Sequence, residues 1–230
     1  MDSQRIWEID FLRGVAIILM SLFHLLYDLS EFYGFNIDYT TGIVDLIGET
    51  SALMFILLTG ISCALSRSNI RRGLKILFFA MIITVVTYIY DTDTYINFGI
   101  LHLIGTSIFL YYVFKDLNSL WLIVIGTFII LLGNYFDGIA VNTNFFVPLG
   151  LTTAYYASLD FYPLFPYFGV FLYGVALRKI VYPSKKSIFN FSWEKSPVNS
   201  LGQHSLLIYL THQPVFLVLL VLMQRLGLIS

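Results

Sequence analysis

DFLRGVAIILMSLFHLLYDL, residues 10–29, is an apolar run with charges at both ends. A helix needs about 20 mostly apolar residues to cross roughly 30 Å of hydrocarbon, and this segment meets that length. It is no signal peptide, because charges flank the apolar stretch and no small-residue cleavage site follows. Its apolar residues run on continuously instead of alternating, which excludes a strand of a membrane barrel. Comparable runs follow at 44–66, 73–90, 98–114, 119–136, 161–181 and 201–223. Asp45, Glu49 and two glycines weaken the second run, and Pro163 and Pro166 interrupt the start of the sixth. The expected fold class is therefore all-α, a polytopic transmembrane helix bundle of about seven spans. No internal repeat or linker divides it, so residues 1–230 are expected to form a single domain.

Composition agrees with that expectation. The chain is 58% hydrophobic and 12% charged, with a mean hydropathy of +0.81. An ordinary soluble domain carries roughly 25% charged residues and about 45–50% apolar ones. Thirteen basic and 14 acidic residues cannot clothe 26.3 kDa in a charged skin. A soluble enzyme and a disordered chain are excluded, and a net charge of −1 argues against a nucleic-acid partner. The single Cys63 excludes a disulfide framework and a cysteine-based zinc site. The lipid bilayer is the first partner implied.

Charge also orients the spans. Arg5, Arg13, Arg67, Arg71, Arg72, Lys75, Lys115, Arg178, Lys179, Lys185, Lys186 and Lys195 all fall on one side of the alternating spans. Asp28, Glu31, Asp38, Asp91, Asp93, Asp137 and Asp160 fall on the other, with Arg225 the one basic residue there. The positive-inside rule makes the N-terminus cytoplasmic and the C-terminus external. Of the long links, 182–200 reads as basic and polar. The link 137–160 carries Phe145, Phe146, Pro148, Tyr155 and Tyr156, which suits a cap, a lid or an interfacial anchor.

Ionisable groups inside a span are functional candidates by default, since hydrocarbon penalises charge. Asp10, Arg13, His24 and Asp28 fall on one stripe of the first span, joined by Ser21. Arg13 and His24 lie about 16 Å apart along the axis, which puts His24 in the outer half of the membrane. Asp28, one turn on, is placed to accept a hydrogen bond from the imidazole and hold its tautomer. The plainer readings are an i,i+3 pair for Asp10 and Arg13 and a packing role for His24. His102 in the fourth span and His212 in the seventh, beside Gln213 and Pro214, are candidates to converge on His24, while His204 lies near the start of the seventh. No local metal-ligand spacing accompanies them, so no metal is expected. Asp45, Glu49, Gly60 and Cys63 share one face of the second span, which is expected to look into the bundle. The cluster Arg67, Arg71, Arg72 and Lys75 reads either as a topology signal that meets anionic lipid or as a receiver of a phosphorylated ligand.

RIWEIDFLRGVAIILMSLFHLLYDL at 5–29, LTGISCALS at 58–66, FGILHLIG at 98–105, FYPLFPYFGVFLYGVAL at 161–177 and LGQHSLLIYLTHQP at 201–214 follow one another in a family's order. Together they resemble the catalytic domain of the heparan-alpha-glucosaminide N-acetyltransferase family, and Arg13 and His24 also reproduce the Arg-x10-His spacing of acyltransferase-3-type membrane enzymes. The resemblance implies transfer of an acetyl or other short acyl group from cytosolic acyl-CoA to a sugar-like acceptor beyond the membrane. It maps the family's functional histidine to His24 and its arginine to Arg13. The lysosomal branch has asparagine at the place of His24, so the sequence is similar to the prokaryotic branch instead.

The expected site is then catalytic His24, Asp28, His102 and His212, with Arg13, Arg67, Arg71 and Arg72 on the phosphates of acetyl-CoA or another acyl-CoA. His24 would serve as base or as an acylated relay. A cell-membrane location and a homodimer that replaces the larger relatives' accessory helices complete the expectation. The rival is a proton-coupled transporter or flippase, which also uses intramembrane Asp, Glu and His.

Overall fold

A computed structural model describes residues 6–66 and 68–229. Its elements are α1 (Trp7–Tyr33), α2 (Gly42–Leu65), α3 (Asn69–Tyr90), α4 (Ile100–Phe114), α5 (Ser119–Phe136), a 3-10 turn (Asn144–Leu149), α6 (Leu164–Val181), α7 (Pro197–Gln203) and α8 (Ser205–Arg225). Six helices, α1, α2, α3, α5, α6 and α8, are long and apolar enough to cross a membrane, and α4 is a shorter apolar helix of 15 residues. The fold is all-helical among the described residues, with a multi-pass membrane composition.

The seventh expected run divides. Ser196 caps α7, its side chain accepting the Asn199 N–H, and Pro197 fills the first helical position, where no N–H is needed. The turn at His204 ends α7, and α8 starts afresh at Ser205. Pro214 lies inside α8 without ending it. At the other end of the chain, α1 stops at Gly34, whose positive φ of 67° lets its N–H reach the Leu29 carbonyl.

The chain forms two compact units, Met1–Phe55 with Lys186–Ser230, and Ile56–Lys185. In the first unit, α7 lies against the start of α1 at backbone distance. A methyl at Gly202 would fall 1.7 Å from the Asp10 carbonyl oxygen, and one at Gly14 would fall 1.9 Å from that of Val198. Small residues at such crossings let backbones approach in place of an aqueous hydrophobic drive. The first half of α2 joins through Ser51, whose hydroxyl donates to the Ala16 carbonyl at 3.1 Å.

The link 182–200 is less polar in its contacts than its charges suggest. Phe189 and Phe191 set their rings 5.7 and 5.5 Å from that of Trp7, and Trp193 lies 5.9 Å from Phe11. Beneath them the Ile188 N–H donates to Glu8 Oε1 at 2.9 Å. Alternating aromatics inside a lysine-bearing stretch fold the segment back onto α1.

In the second unit the glycines set the spacing. A methyl at Gly60 would meet the Phe171 carbonyl oxygen at 2.2 Å, and one at Gly169 would meet that of Gly126 at 2.4 Å, so α6 fits closely against α2 and α5. Lys179 donates to the carbonyls of Lys115 and Leu117 at 2.7 and 2.5 Å, which caps the end of α4. The link 137–160 is pinned to the α3–α4 turn: Ser158 donates to Tyr95, and Asp160 Oδ2 accepts the Ile100 N–H at 2.9 Å. Phe145 and Tyr155 are 81% and 98% exposed. Phe78, Ile89 and Leu131, all at least 61% exposed, carry the apolar surface of α3 and α5 outward.

One expected face does not hold. Gly60 and Cys63 are buried, but Asp45 and Glu49 are exposed. Ideal helical periodicity aligns the four, yet the first two turns of α2 are largely exposed.

Candidate functional site

The site is built from the two chain ends of the first unit. α1 supplies His24 and Asp28, and α8 supplies His212 and Gln213. The rings of His24 and His212 lie 4.8 Å apart between centroids, inclined by 55°. Phe23 sets its ring edge-on to His24 at 5.5 Å, and Phe216 does the same to His212 at 6.0 Å. Gly48 makes room for Phe23, since a methyl there would fall 2.7 Å from the ring.

His212 is held in one tautomer. Its Nδ1 lies 2.7 Å from the Tyr209 carbonyl oxygen. A carbonyl only accepts, so Nδ1 carries the proton and Nε2 keeps its lone pair. That Nε2 is buried and has no hydrogen-bond partner. The ring is oriented, and the Nε2 lone pair is chemically able to accept a proton.

Asp28 is fully buried. The expectation that it orients His24 is corrected here: its Oδ1 accepts from Gln213 Nε2 at 2.5 Å. A longer side chain from α8 reaches the carboxylate first, because His212 and Gln213 are successive residues and present their groups at different angles around α8. Asp28 Oδ2 and Gln213 Oε1 are buried without partners, like His212 Nε2. All three are acceptors, so the site calls for a donor-rich ligand such as a hydroxyl or amine.

His102 has a different setting, inside the second unit. Its Nδ1 accepts the Gly99 N–H at 3.2 Å, closing a capping box at the start of α4. Its Nε2 lies 3.2 Å from Thr84 Oγ1, which itself donates to the Ile96 carbonyl. Both ring nitrogens are thus engaged in holding the α3–α4 turn. His204 is exposed, with Nδ1 2.9 Å from the Ser200 carbonyl.

The expected basic residues each have their own local setting. Arg13 Nη1 donates to Asp10 Oδ1 at 2.6 Å, an i,i+3 ion pair at the entrance of α1. Arg71 is exposed and Arg72 half-buried, while Arg67 lies outside the described residues.

Gln213 was assigned no role from sequence. Its signal is an uncharged amide in a largely apolar helix, next to His212, whose ring meets that of His24.

A family model described as "Heparan-alpha-glucosaminide N-acetyltransferase, catalytic" matches residues 5–214. No match is found among the curated proteins or the solved structures.

Proposed function

The chain belongs to the heparan-alpha-glucosaminide N-acetyltransferase catalytic family, and from that membership we propose that it transfers an acetyl group from cytosolic acyl-CoA to a sugar-like acceptor on the far side of a cell membrane. The observation that carries this reading is the His24–His212 pair, with the buried and unpartnered Nε2 of His212 beside it.

The acceptor's hydroxyl or amine enters with its donors toward Asp28 Oδ2, Gln213 Oε1 and His212 Nε2. His212 Nε2 takes the acceptor proton as the acceptor oxygen or nitrogen attacks the thioester carbonyl. The carbon–sulfur bond breaks and the CoA sulfur leaves as thiolate. Proton transfer by a positioned imidazole contributes typically 10²–10⁴-fold. The His212 imidazolium then gives that proton to the departing thiolate, directly or through the neighbouring His24 ring, so CoA leaves as the thiol and both imidazoles end neutral. In the two-step alternative His24 attacks the thioester carbonyl and expels the thiolate, and the acceptor then takes the acyl group from His24 as His212 takes its proton. Asp28 and Gln213 orient the acceptor. The positive-inside rule assigns Arg13, Arg71 and Arg72 to the cytoplasmic side, the side from which a phosphate-bearing donor arrives.

The test is transfer of labelled acetyl from acetyl-CoA to glucosamine-type acceptors in proteoliposomes. Wild-type transfer that His212→Ala and His24→Ala remove supports the reading. Full transfer by both variants overturns it, as does acceptor uptake without acylation, the behaviour of a carrier.

A further inference from the structure

The buried ends of two arginines in the second unit remain to be accounted for. Arg72 stands in the first turn of α3, and its Nε and Nη2 are buried with no hydrogen-bond partner. Arg178 stands in the last turn of α6, and its Nε is likewise buried and unpartnered. A guanidinium stays charged at any ordinary pH, so it cannot escape burial by losing a proton. A buried guanidinium N–H without a partner is costly, and an anion is the acceptor that matches it best.

The two arginines serve one end of this unit. Alternation of α3, α4, α5 and α6 returns the last turn of α6 to the side where α3 begins, and the Lys179 bonds to the end of α4 fix that return. Arg72 lies beside the Cys63 thiol, and the Tyr111 phenol is within electrostatic reach of both Cys63 and Arg178. Asn69 lines the same corner, donating to the Cys63 carbonyl at 2.8 Å. The acid in reach of Tyr111 and Lys179 is Asp116, and among the described residues it makes no ion pair with Arg178. The Lys179 ammonium is spent on carbonyls. What remains is two guanidiniums with unpartnered buried donors, Nε and Nη2 of Arg72 and Nε of Arg178, neither of them in an ion pair among the described residues.

We propose that Arg72 and Arg178 form a phosphate-binding site where α3 begins and α6 ends. Guanidinium forks match the oxygens of a phosphate in pairs, which a lysine cannot do. The phosphate arrives either on a soluble nucleotide-type donor or on the headgroup of an anionic lipid. The soluble source rests on the acyl-CoA reading above, and the lipid source does not.

Full-length protein in phosphatidylcholine nanodiscs is titrated with CoA and with inorganic pyrophosphate. In parallel, nanodiscs with phosphatidylglycerol are examined for retained lipid by native mass spectrometry. Arg72→Gln and Arg178→Gln are each expected to weaken one of these ligands at least tenfold, and the double variant to lose it, while Arg225→Gln binds as the wild type does. Loss confined to CoA and pyrophosphate identifies the soluble source; loss confined to phosphatidylglycerol identifies the lipid. Arg72→Lys and Arg178→Lys keep the charge without the fork, and a several-fold loss is expected where the glutamine variants do not fold. Wild-type protein that binds none of the three ligands, or a folded double variant that binds all as before, overturns the site. Acyl transfer is measured on the same samples: a wild type that binds CoA through Arg178 but transfers nothing sinks the proposed reaction and leaves this site standing.

Discussion

Asp28 and Gln213 stand 185 positions apart in the chain and meet at 2.5 Å, amide nitrogen to carboxylate oxygen. The contact ties α1 to α8 inside apolar surroundings, where a lone carboxylate would be costly. Gln213→Leu removes the donor and keeps the bulk. It is expected to cost about 2 kcal/mol, the size of a buried hydrogen bond to a charged group. Thermal unfolding in detergent reads this as a lower Tm, and an unchanged Tm would count against the contact.

The histidine pair makes a kinetic prediction. Removing His212 Nε2 deletes the open base, so His212→Ala should lower kcat for acetyl transfer about 100-fold or more. His212→Gln cannot take up a proton and should be equally slow. Activity in the glutamine variant would separate a packing role from a proton role.

The contact of α7 with α1 predicts a steric effect. Gly202→Ala places a methyl 1.7 Å from backbone, whereas Gly48→Ala meets only the movable ring of Phe23 at 2.7 Å. Overpacking costs typically 1–3 kcal/mol, so Gly202→Ala should lower Tm clearly more than Gly48→Ala. The reverse order would refute the close approach.

Outside the spans, Asp38 predicts a pH effect. Its carboxylate accepts from the hydroxyl and N–H of Thr40 and of Thr41, with Oδ1 2.9 Å from the Thr40 nitrogen. These bonds, the Thr41 hydroxyl's first among them, hold its pKa down at about 2 against an ordinary 3.8. A folded pKa below the unfolded one means that the carboxylate stabilises the turn above about pH 4 and loses that effect as pH falls toward 2. Hydrogen exchange at the Thr40 and Thr41 amides should speed up across that window, and in Asp38→Ala at every pH.

Much of the fold was legible because the bilayer imposes length and hydropathy on each span. Spans two, three, five and six fall where composition places them, and α4 is short but present. The break at His204 was not legible, since Ser196 and Pro197 start a helix that hydropathy alone merges with the next. The site was legible in part. His24 and His212 were both candidates, and their convergence depends on α1 and α8 meeting, which no local pattern encodes. The stripe on α1 marked Asp28 correctly as inward but misjudged its partner, because periodicity on one helix says nothing about what a second helix offers. The face of α2 failed at Asp45 and Glu49 for a related reason: periodicity aligns residues without saying how far along the helix its neighbours extend.

The first unit is discontinuous, made of Met1–Phe55 and Lys186–Ser230. During synthesis α1 is therefore inserted long before its partners exist. Asp28 and His24 must wait in the bilayer, or with the insertion machinery, until α8 has left the ribosome. The stretch Ile56–Lys185 has all its own helices by then and can assemble first, as contiguous units do. A chain stopped short of α8 would carry a buried carboxylate with no amide to meet it, and such a product is a natural target for membrane quality control.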